Sequence, residues 1–62
     1  MTIQEILTEE YKTALQIESK FDKFQALGEF IKDTSSSNMP DFLKKRFIQR
    51  AEEHQFELVG FL

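Results

Sequence analysis

No glycine or proline interrupts the chain before Gly28, and within that stretch Ile3, Ile6, Leu7, Tyr11, Ala14, Ile17, Phe21 and Phe24 recur at helical spacing. At about 100° per residue they fall within an arc of about 140°, the apolar stripe of an amphipathic helix rather than the alternation of a strand. Thr2-Ile3-Gln4-Glu5 has the form of a capping box, so the helix is expected to start at Ile3. Further on the stripe turns: Phe24, Leu27, Phe30 and Ile31 share a face rotated by roughly 90°, more than the drift of about 20° per heptad explains. Ser19-Lys20-Phe21-Asp22 offers a second start, with a serine cap and an acid in the first turn. The pattern predicts either two helices, 3–18 and 20–33, or one bent helix over 3–33.

A polar linker, 34–39, is closed by the single proline, which turns Met39 away from helical dihedrals and suits the first turn of a helix over 40–54. Leu43, Phe47, Ile48, Ala51 and His54 form the expected buried arc of that helix. The tail 55–62 is ambiguous. Phe56, Leu58 and Leu62 alternate as in a strand, yet Leu58 also continues the helical arc of Leu43 and Phe47, with Gly60 as a stop. The expected fold class is all-α, a small two- or three-helix hairpin or bundle. The alternative is α+β, with the tail as a strand pairing in a dimer.

A chain of 62 residues makes one domain at most and buries only about 60% of the surface its unfolded form exposes. Such a core is marginal without a further staple. That staple is not a disulfide, since the chain has no cysteine, and the same absence excludes a thiolate metal site or a cysteine nucleophile. Self-association through Phe24, Leu27, Phe30 and Ile31 is the expected substitute, giving a homodimer or larger oligomer. There is no apolar run of transmembrane length and the N-terminus is acidic where a signal peptide would be basic, so no membrane role and a cytoplasmic location are expected.

A net charge of −3 argues against general affinity for nucleic acid, which favours a basic surface. The local exception is Lys44-Lys45-Arg46 with Arg50. On a helix these do not form one stripe, and Asp41–Lys45 and Arg50–Glu53 are spaced to pair locally. Lys45, Arg46 and Arg50 are kept as a candidate nucleic-acid contact. Thr34-Ser-Ser-Ser-Asn38 lacks the glycines with which a backbone wraps phosphate. His54 has no third ligand of known position, Glu9-Glu10 and Glu52-Glu53 each point to different sides of a helix, and no base is placed beside a serine. No catalytic, metal or cofactor residue is expected, nor a small-molecule substrate.

The seven phenylalanines remain. Phe42 and Phe56 fall on the polar side of the third helix, away from Leu43 and Phe47, and exposed aromatics on such a face mark a partner surface. The expected surface comprises Phe42, Arg46, Phe56 and Phe61. The functional expectation is a small non-enzymatic interaction or regulatory protein with a protein partner, an inhibitor or assembly factor of the kind bacteria and phages use. The alternative is a nucleic-acid-binding regulator of transcription or replication acting through Lys45, Arg46 and Arg50.

Overall fold

A computed structural model describes residues 2–60, which form three helices and no strand: α1 (Ile3–Leu15), α2 (Lys20–Ser35) and α3 (Asp41–Val59). Thr2 caps α1 as expected, with Glu5 reaching back to its hydroxyl rather than to its backbone N–H. The Thr2 side chain accepts from the Glu5 backbone N–H at 3.2 Å and donates to Glu5 Oε1 at 3.3 Å. The turning stripe marks a true break: α1 stops at Leu15, three residues short of expectation, and Ser19 caps α2 by accepting from the Asp22 N–H at 3.3 Å. The alternative of one bent helix is thereby excluded.

The apolar arc of α2 is wide because this helix packs on both of the others. Ala26 lies with Ala14 of α1, whereas on the other side the Phe24 carbonyl accepts a 3.1 Å hydrogen bond from the Gln55 side chain of α3. Phe30, between the two sides, lies 5.2 Å from the Tyr11 ring and 6.2 Å from the Phe47 ring, centroid to centroid. Leu7, Ala14, Leu27, Phe30, Met39, Ala51 and Leu58 form the buried core. The Cα atoms span 33 × 20 × 13 Å, so the helices make a thin slab.

Three expectations are corrected here. Leu27 and Phe30, expected to carry self-association, are only 0% and 1% exposed, and Phe24 and Ile31 are half-buried against the same core. What looked like a surplus apolar face is the second internal face of the middle helix. The expected end of the third helix at 54 and the strand in the tail are also overturned: α3 continues to Val59, because Leu58 completes the buried arc begun by Phe47 and Ala51. Phe61 and Leu62 lie outside the described residues.

Finally, the linker is shorter and less free than 34–39. Thr34 and Ser35 belong to α2, and Met39 inserts into the core while its N–H donates to Ser37 Oγ at 3.4 Å. That hydroxyl donates in turn to the Thr34 carbonyl at 2.7 Å. Lys44 reaches back to the Ser35 carbonyl at 3.3 Å, placing a positive charge on the negative end of the α2 dipole. Pro40 is the cap of α3 rather than its first residue, and its carbonyl accepts from the N–H groups of Leu43 and Lys44, each at 3.0 Å.

Thr34 is fully buried and its hydroxyl has no hydrogen-bond partner. Burying such a group costs about 1–3 kcal/mol. Thr34→Val, of similar shape, is therefore expected to raise the urea midpoint of unfolding. Leu27→Ala is expected to lower stability by about 2–5 kcal/mol, a large share of what a domain of this size has, read in the same titration.

Candidate functional site

The expected partner-surface and nucleic-acid residues among the described ones all lie on α3. Phe42 and Phe56 are 64% and 82% exposed on α3. Arg46 and Lys45 are exposed on the same outer side, whereas Arg50 turns towards α1 and lines a cleft with Thr8, Tyr11, Phe30 and Phe47. Arg50 also lines a shallow groove with Arg46, Gln49 and Glu53, so it borders both the cleft and the outer face.

Helix geometry orders the outer face of α3. Phe42, Gln49 and Phe56 are seven residues apart, two turns each, so they stand in one row about 21 Å long at 1.5 Å per residue. The two phenylalanines occupy the ends of the row and do not touch. Lys45 and Glu52 flank the row on one side, Arg46 and Glu53 on the other, all four exposed. Each flank is positive in its N-terminal half and negative in its C-terminal half. The expected local pairs Asp41–Lys45 and Arg50–Glu53 do not form; the ion pair within 4 Å among the described residues is Lys12–Glu9, at 3.9 Å on α1. At a solvated surface such pairing gains too little to be obligatory.

The cleft at Arg50 is narrow, about 90 Å³, against roughly 300–1,000 Å³ for small-molecule sites. Tyr11 forms one wall, its ring 5.8 Å from that of His54. Burial raises the Tyr11 hydroxyl pKa, with the Arg50 charge opposing and Glu53 adding to the shift. His54 is thus part of an aromatic packing cluster in the body of α3, well before the helix end where the sequence reading placed it. Among the described residues no three His, Cys, Asp or Glu side chains are grouped to hold a metal ion.

The structure also assembles a group that sequence reasoning missed: Glu10 of α1 meets Asp33 and Glu29 of α2. Glu29 and Asp33 are one turn apart, and residues 1–33 hold seven acids against four lysines. Which turn of α1 would face them depended on where α1 stops. Desolvation, a hydrogen bond to Asp33 and the charges of Asp33 and Glu29 together push the Glu10 carboxyl from 4.5 up to about 7.

No protein family, curated protein or solved structure matches the chain. The reading of function therefore rests on the surfaces just described.

The Glu10 shift has a consequence for stability. The folded chain holds the proton more tightly than the unfolded chain, so this group favours folding fully below about pH 4.5 and its contribution is lost as pH rises through about 7. Glu10→Gln is expected to raise the melting temperature at pH 8, and to flatten its fall between pH 5 and pH 8 relative to the parent chain.

Proposed function

We propose that this chain is a non-enzymatic interaction protein that acts by docking the outer face of α3 onto another protein surface, in the manner of a small inhibitor or assembly factor. The observation that carries the reading is the pair of phenylalanines, Phe42 and Phe56, held outward by a helix whose opposite side is buried in the core. An exposed aromatic gains more than any other side chain type by being covered, and interfaces are enriched in Phe, Tyr, Trp and Arg. Arg46 lies one turn from Phe42 and adds a directional contact.

A protein partner fits this face better than nucleic acid does. Lys45 and Arg46 are balanced by Glu52 and Glu53 on the same face, and a phosphate backbone would be repelled by the acidic half. The alternative, a nucleic-acid-binding regulator using Lys45, Arg46 and Arg50, would have to seat phosphate in a groove where Glu53 lies beside Arg46 and Arg50. No helix among the described residues is long and apolar enough to cross a membrane, so a bilayer-spanning role is not part of the proposal.

The test is affinity capture from the source cell with the tagged chain, followed by identification of both protein and nucleic acid. Retained protein should be lost with Phe42→Asp/Phe56→Asp and largely kept with Arg50→Glu. Retention of nucleic acid that Lys45→Glu/Arg46→Glu/Arg50→Glu abolishes would instead establish the alternative.

A further inference from the structure

We infer that the outer face of α3 is self-complementary, and that the partner it takes is a second copy of this chain lying antiparallel along it. The inference rests on the reading of that face as a docking surface and names its occupant. Gln49 is the midpoint of the exposed row, and the residues on either side of it mirror one another in chemistry. Phe42 and Phe56 each lie seven residues from Gln49. Lys45 and Arg46 lie four and three residues before it, Glu52 and Glu53 three and four residues after it.

Two antiparallel copies related by a two-fold axis through Gln49 therefore bring like to like in shape and opposite to opposite in charge. Phe42 of one copy meets Phe56 of the other at both ends of the contact, removing four exposed rings from water. The two-fold keeps each flank facing its own counterpart, so Lys45 meets Glu52 along one edge and Arg46 meets Glu53 along the other, four cross-pairs in all. The two Gln49 amides meet at the centre, where each carries both donors and an acceptor. Asp41 and Glu57, the like charges that a crude mirror would oppose, fall on opposite flanks about 160° apart around the helix and do not meet.

A parallel two-fold arrangement would set Lys45 against Arg46 and Glu52 against Glu53 and is disfavoured by the same charges. Such an isologous contact is the commonest closed assembly for a soluble protein. It also leaves undisturbed the core that Leu27 and Phe30 fill.

Sedimentation equilibrium of the full chain from micromolar to millimolar concentration is the test. The mass is expected to approach twice 7.3 kDa at the upper end. Phe56→Asp is expected to weaken association by about tenfold or more, since it removes a covered aromatic ring at both ends of the contact. Lys45→Glu/Arg46→Glu and Glu52→Lys/Glu53→Lys should each be monomeric alone, form a heterodimer when mixed, and recover a homodimer when all four substitutions are combined. Circular dichroism of each variant should match the parent, since every substituted side chain is exposed. Single-sign variants that dimerise like the parent would overturn the antiparallel arrangement. A parent chain that stays at 7.3 kDa throughout, while Phe42→Asp/Phe56→Asp still abolishes capture of another protein, would overturn the second copy as occupant and leave the docking reading standing.

Discussion

The fold hangs on Phe30. Its ring is sandwiched between Tyr11 and Phe47 and almost wholly buried, so a single side chain of the middle helix touches both outer ones. The outer helices also meet directly where the Tyr11 ring lies 5.8 Å from that of His54, and the 13 Å thickness leaves no second layer to bury apolar surface. Everything else that is apolar must either join the narrow seam along α2 or remain in water. Leu27, Ala51 and Ala14 join it; small residues at two of those three positions let the helices approach closely.

That division explains why the surface of α3 has to be read as it is. Its inner arc of Leu43, Phe47, Ala51 and Leu58 is committed to the seam, and the rest of a 19-residue helix lies open along its length. A chain of this size cannot cover such a face itself. Aromatic residues placed there carry a free-energy cost in isolation that only a contact offsets.

Much of this architecture was legible in the residues, and the exceptions share one physical origin. Thr2, Ser19 and the single proline mark helix starts through local hydrogen bonding and sterics, which are short-range and readable. The outward placement of Phe42 and Phe56 also follows from helix angle alone once Leu43 and Phe47 are inside. The roles of Leu27 and Phe30 were not readable, because periodicity shows that a face is apolar and says nothing about whether the same chain or another covers it. The meeting of Glu10 with Asp33 and Glu29 depended on the register of α1 against α2, a long-range quantity. In the tail, alternation of Phe56 and Leu58 fits a strand as well as a helix; burial of Leu58 on the core decides for the helix.

The seating of Met39 reaches beyond packing. The connection between α2 and α3 has few residues and one of them is a core side chain, so the turn behaves as a clasp whose length is set by the interior on which it closes. Contacts in this chain are therefore mostly between neighbours in sequence, with Ser37 and Lys44 stitching the clasp from either side. A topology so local has little loop-closure entropy to overcome, which places it among fast-folding chains. The α2–α3 hairpin is the more extensively packed of the two helix pairs, and α1 is the less tightly held element.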